Sequence, residues 1–187
     1  MTPPPTDKDE AETRLEIDAK LAIAGWEIQD KRQMNLFAGE QGVHGVAVRE
    51  METDTGPADY MLFILGKACG IIEAKREGTN IADVIQQSRR YALSGTKHIQ
   101  RWTDELRFTY EATNIETRFT DWADPYSRTR KVFHFHQPKT LKDRLEAGDS
   151  FRARLQQLPE LNTNGLRDCQ IDAIHGIEQS LKNNQPR

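Results

Sequence analysis

Three side chains carry the chemistry most plainly: Asp59, Glu73 and Lys75. The run Glu73-Ala74-Lys75 sets a carboxylate and an ammonium two residues apart. In an extended strand both point to the same face. Asp59 sits on the preceding extended segment. A turn near Gly66-Lys67 folds that segment back, so position 59 falls opposite 73 or 74. Two carboxylates converging at a strand edge make an oxygen site suited to Mg²⁺, which binds one or two carboxylates and keeps several waters. A lysine beside such an ion can stabilise a pentavalent phosphate or help deprotonate an attacking water. Metal-assisted phosphodiester hydrolysis needs these parts: a Lewis acid, an activated water and a cation at the developing charge.

The elements that must position them are legible in outline. Residues 59–65 (Asp-Tyr-Met-Leu-Phe-Ile-Leu) and 69–75 (Cys-Gly-Ile-Ile-Glu-Ala-Lys) read as the strands of a β-hairpin. Residues 46–49 form a short strand, 106–112 an alternating one with Phe108, Tyr110 and Ala112 on one face, and 132–136 another. Residues 27–45 read as irregular. A helix opens at Asp9 and runs to about Ile23, with Leu15, Ala19 and Ala22 as its core stripe and Gly25 closing it. A second, capped by Asn80, runs to about Leu93, and a short one covers 141–147. A last amphipathic helix, about 166–181, carries Ile171, Ile174, Ile177 and Leu181. The expected class is α/β, a central mixed sheet of about four or five strands flanked by helices.

The chain of 187 residues is long enough for one sizeable domain and a fragment. Residues 1–8 read as a disordered tail, 9–158 as the domain, 159–165 as a linker, and 166–187 as the first helix of a further domain. No apolar run approaches the roughly 18 residues of a membrane span. The first ten residues have no apolar core of a secretory signal. Two distant cysteines exclude a disulfide framework and a Cys-rich zinc site; a cytoplasmic protein is expected. Net charge is −3, but its distribution is uneven. Residues 1–60 hold 6 Lys/Arg against 13 Asp/Glu, residues 75–107 hold 7 against 4, and residues 128–144 hold 6 against 1. The middle of the chain can therefore present basic surface to phosphates.

The order Asp, hairpin, apolar strand, Glu-x-Lys, helix resembles the PD-(D/E)xK nuclease motif. The proline is displaced, giving Pro57-Ala58-Asp59. Ala11-Glu-Thr-Arg14, Ile17-Asp18, Leu21 and Ala24-Gly-Trp26 resemble the opening helix of the restriction (R, or HsdR) subunits of type I restriction enzymes. Ala58-Asp59-Tyr-Met-Leu and Ile71-Ile-Glu-Ala-Lys-Arg76 resemble that family's nuclease core. Gln87-Ser-Arg-Arg-Tyr91 fits its Q-x-x-x-Y motif, and the strand ending Ala112-Thr-Asn114 is typical of it. Leu166-Arg-Asp-Cys-Gln170-Ile-Asp-Ala-Ile174 resembles the segment that opens the superfamily 2 helicase motor. No G-x-x-x-x-G-K-[ST] loop is present, so ATP is expected only in a motor beyond this chain.

The resemblance implies a restriction-endonuclease-like fold. It implies an Mg²⁺-dependent endonuclease making double-strand cuts in DNA, within an assembly of methylation (M) and specificity (S) subunits and no membrane. Asp59 and Glu73 become the metal ligands and Lys75 the catalytic lysine. Gln87 and Tyr91, four apart on one helical face, support the site or contact DNA; Arg89 and Arg90 beside them are placed for phosphate. Glu12 is a lesser candidate, an acid on the opening helix. His134 and His136 share a strand face but lack a third ligand nearby, which argues against zinc. Two alternatives remain open: a non-catalytic docking or regulatory module of the same fold, and the nuclease domain of another superfamily 2 helicase.

Overall fold

The structure, a computed structural model, describes residues 10–75, 89–90, 93 and 99–183, with side chains from residue 13. The described residues build one mixed sheet of seven strands in sequential order: β1 (Glu27–Asp30), β2 (Val46–Thr53), β3 (Gly56–Ile64), β4 (Lys67–Ala74), β5 (Phe108–Ala112), β6 (Thr117–Asp121) and β7 (Arg130–Val132). The helices are α1 (Glu10–Ile23), α2 (Pro138–Glu146), α3 (Phe151–Leu155) and α4 (Asp168–Lys182).

The α/β class with a central sheet is as expected, but the sheet has seven strands rather than four or five. Two strands escaped the residue pattern. β1 is a short, polar edge strand, parallel to β2. β6 reads Thr-Arg-Phe-Thr-Asp, yet four of its five residues are buried. Its polar groups have partners inside: Thr120 Oγ1 lies 2.8 Å from Thr129 Oγ1, and Asp121 accepts Arg107 Nε at 2.8 Å. The strand expected at 132–136 instead ends at Val132, where the chain bends into α2.

β3 and β4 are apolar on both faces because the sheet is covered on both. One face carries Tyr60, Leu62, Ile72, Ala74, Phe108 and Tyr110 against Ile17 and Leu21 of α1 and Leu141 of α2. The other carries Val46, Val48, Met61, Phe63 and Ile71 under Leu36, Ile99 and Trp122. A continuous apolar run is the signature of a strand so enclosed. β4 and β5 are parallel, so the chain must cross over between them. They also approach closely: a Cβ on Gly70 would lie 2.6 Å from the Phe108 carbonyl oxygen, so only glycine fits there.

The inner face of α1 differs from the expected one. Leu15 is 68% exposed, and Ala19 and Ala22 also face outward. Thr13, Ile17, Leu21 and Ala24 are buried instead. Both stripes satisfy helical spacing; the larger aliphatic area of Ile17 and Leu21 decides between them. The adjacent polar residues then reach the sheet, Arg14 to Asp59 and Asp18 to Arg49 and Tyr60. The helix closes as its sequence predicts, with Gly25 at φ +89° and Trp26 N–H donating to the Leu21 carbonyl at 3.0 Å.

Candidate active site

The site forms where β3 and β4 part. Their ladder runs to Tyr60↔Ile72. One step further, the Asp59 side chain replaces a backbone partner, its Oδ2 accepting from the Ala74 N–H at 2.8 Å. On its other side β3 faces β2, and there the ladder skips one level between Arg49↔Tyr60 and Met51↔Ala58. The residue at that gap, Glu50, has φ +53°, a conformation a non-glycine residue enters at a cost. The backbone is thus opened on both sides of Asp59.

Arg14 reaches this opening from α1. Its Nη2 donates to Asp59 Oδ1 at 2.8 Å and its Nη1 to Glu50 Oε1 at 3.2 Å. Tyr60 braces the helix by donating its hydroxyl to Asp18 Oδ1 at 2.9 Å.

Glu73 on β4 and Lys75 just past its end share a face, as their spacing requires. Lys75 Nζ lies 3.2 Å from Glu73 Oε2. The Lys75 backbone N–H donates to Ala112 O at 2.8 Å, which extends the parallel pairing past the end of β4. Glu73 is 2% exposed, and on β5 its register partner is Glu111, also buried. Burial is the main reason the Glu73 carboxyl is pushed up to about 7, with Asp59 raising it next. Lys75 pulls it back, and Glu111 adds to the rise. The site therefore brings the Glu73 carboxyl, largely shielded from water, close to two further acidic side chains, Asp59 and Glu111.

Among the described residues, no group of three or more His, Cys, Asp or Glu is arranged to hold a metal ion. Two carboxylates suit an ion that keeps most of its water, as Mg²⁺ does, and not a closed zinc centre. A carboxyl held at about 7 by burial and like charge is the group whose ionisation a divalent cation would favour most.

The other expected site residues are distributed as follows. Gln87 and Tyr91, and the side chain of Glu12, lie outside the described residues. Arg89 is paired with Glu105 at 3.1 Å and its guanidinium sits 4.3 Å from the centre of the Trp122 ring. Arg90 is exposed. His134 is exposed. Both ring nitrogens of His136 are engaged: Nε2 with Arg144 Nη2 at 3.1 Å and Nδ1 with the Tyr110 hydroxyl at 2.7 Å. Arginine only donates, so Nε2 accepts and Nδ1 carries the proton.

Glu111, Glu50 and the Arg14 contact to Asp59 were not anticipated. A signal for Glu111 was present: on β5 it alternates with Tyr110 and Ala112 and so must face the side opposite them. Nothing in the sequence marks the backbone turn at Glu50.

A family model described as the second domain of the type I restriction enzyme EcoKI endonuclease subunit matches residues 42–120, the span that holds Asp59, Glu73 and Lys75. The EcoKI endonuclease subunit of Escherichia coli (strain K12) is 24% identical over 224 residues, covering 94% of this chain and 19% of that protein. The chain is thus similar, over most of its length, to part of a type I restriction enzyme endonuclease subunit. A solved fragment described as an HsdR subunit of a type I restriction enzyme from Vibrio vulnificus YJ016 has the same fold, with a TM-score of 0.50 at 20% identity. The match covers 84% of this chain and 30% of the fragment. The chain thus spans about a fifth of the length of the curated HsdR-type relative it matches.

Proposed function

We propose that the chain is the endonuclease domain of a type I restriction subunit and hydrolyses phosphodiester bonds of double-stranded DNA by PD-(D/E)xK chemistry. The observation that carries this reading is the meeting of Asp59, Glu73 and Lys75 at the split between β3 and β4, with Asp59 and Glu73 electrostatically coupled and Lys75 3.2 Å from Glu73. Asp59 and Glu73 would hold Mg²⁺, which supplies Lewis-acid activation of water and of the scissile phosphate when bound. Lys75 holds a positive charge where negative charge develops on the phosphate. The Ala74 N–H fixes the Asp59 carboxylate, so this ligand is set before substrate arrives.

In this reading, cutting in the cell takes place in the cytoplasm within a larger enzyme. That enzyme includes methylation and specificity subunits and an ATP-driven motor. The chain at 9–158 supplies cleavage and 159–165 links it onward, with 166–187 opening the motor. Gln87 and Tyr91 support the site or the DNA backbone, as do Arg89 and Arg90. The test is plasmid cleavage by the full-length restriction subunit assembled with its partners. Asp59→Ala, Glu73→Ala and Lys75→Ala should each abolish cutting while ATP-driven translocation persists. Unimpaired cutting by these variants would favour a docking module of nuclease fold.

A further inference from the structure

Both oxygens of Asp59 are engaged, and by different kinds of donor. Oδ2 takes a backbone amide, which cannot leave without breaking the strand end. Oδ1 takes a side chain, the guanidinium of Arg14. The same guanidinium holds Glu50 through its other nitrogen. The Asp59 side chain is 15% exposed and that of Glu50 58% exposed, so Arg14 bridges an interior carboxylate and a surface one. Glu50 presents its carboxylate from a left-handed backbone conformation. Such strain persists only where surrounding structure enforces it, and it gathers at functional sites.

We propose that Arg14 is the resident counter-cation of the metal-free site, holding Asp59 Oδ1 until a divalent cation takes that oxygen and afterwards keeping Glu50. This deepens the nuclease reading and rests on it. Lys75 compensates Glu73; without Arg14, Asp59 would add a second negative charge beside it with only an amide for support. Arginine cannot relieve the site by losing its proton, so it must move aside rather than neutralise. Glu50 gives it a partner already in contact, so the move leaves no bare charge behind.

The experiment is Mn²⁺ titration of the 187-residue chain by calorimetry, with the Mn²⁺-induced rise in Tm as a second readout. Arg14→Gln removes the competitor and should tighten Mn²⁺ binding by about 3- to 10-fold, the size expected of one like charge at contact in a wet site. Its Mn²⁺-induced Tm rise should exceed that of the wild type. Lys31→Gln removes a positive charge from a surface pair with Glu52 and should leave affinity within about 2-fold. Equal tightening in both variants would reduce the effect to net charge and overturn the proposal, as would unchanged or weaker binding in Arg14→Gln. If Arg14→Gln fails to fold, Arg14→Lys keeps the charge but not the fork, and intermediate affinity is expected; wild-type or weaker affinity there counts against the proposal. Asp59→Asn separates the two levels: if it binds Mn²⁺ as tightly as wild type, the metal reading itself is wrong.

Discussion

The carboxylate of Asp59 accepts a hydrogen bond from the backbone amide of Ala74, 2.8 Å away, so a candidate metal ligand also closes the end of the β3–β4 ladder. Truncation at this position therefore has two effects that must be told apart. Asp59→Ala should lose cleavage and also leave the Ala74 amide and the Arg14 guanidinium without their shared acceptor, at a cost of about 1–3 kcal/mol. Asp59→Asn keeps an acceptor oxygen and should recover part of that stability while remaining inactive. Urea denaturation beside a cleavage assay checks this. Wild-type cutting by Asp59→Asn would remove Asp59 from the chemistry.

Lys75 lies beside a carboxylate that it partly neutralises, 3.2 Å away. Lys75→Ala should leave Mn²⁺ affinity similar or slightly tighter, because a cation is removed next to a cation site. Hydrolysis should fall by roughly 10² or more, the usual loss when a group that stabilises developing charge is deleted. Metal titration and single-turnover cleavage separate the two effects. A variant that loses the metal but would cut normally if loaded would reverse the assigned roles.

How much of this site was legible in the sequence can be judged from its parts. The Asp59, Glu73 and Lys75 set follows from strand alternation and one hairpin, and the ladder Tyr60↔Ile72 carries 59 to the level of 73 as counted. Helix α4, the Gly25 cap and the inward row of Phe108, Tyr110 and Ala112 follow from local periodicity in the same way. What was missed depends on tertiary partners. Two helical stripes on α1 were compatible with the spacing, and only the sheet selects Ile17 and Leu21. β6 looked polar because its threonines and Asp121 find partners within the fold. The gap on the β2 side of Asp59 coincides with a positive φ at Glu50, which no residue pattern encodes.

The Glu73 carboxyl, pushed up to about 7 by burial and by Asp59, makes stability depend on pH in an unusual direction. A folded-state value above the unfolded one means the folded chain binds the proton more tightly. Stability is then greatest below the ordinary carboxylate range and declines as pH rises to about 7, levelling beyond it. The loss from this group is on the order of 3–4 kcal/mol. Metal-free denaturation curves between pH 4.5 and 8 should follow this slope in the wild type, and Glu73→Gln should flatten it. Mn²⁺ affinity should rise with pH over the same window, since binding must displace the proton. A slope unchanged by Glu73→Gln would assign the dependence to other groups.

Helix α4 has its apolar stripe but no sheet to cover it. Among its described residues none is buried, Ile177 and Leu181 are exposed, and its neighbours are α3 and the segment around Leu158 and Leu161. Burial of an aliphatic side chain contributes about 1.5–3 kcal/mol only where it is complete. Half-covered residues along one helix add little, and an isolated helix of this length is marginal in water. The core around the sheet closes without it, through Ile17, Leu21, Leu141 and the two faces of the sheet. A chain ending near Pro159 should therefore keep the thermal midpoint within a few degrees and the same Mn²⁺ affinity. A midpoint lowered by ten degrees or more together with loss of metal binding would place α4 inside the domain that holds Asp59 and Glu73 and move the boundary beyond residue 165.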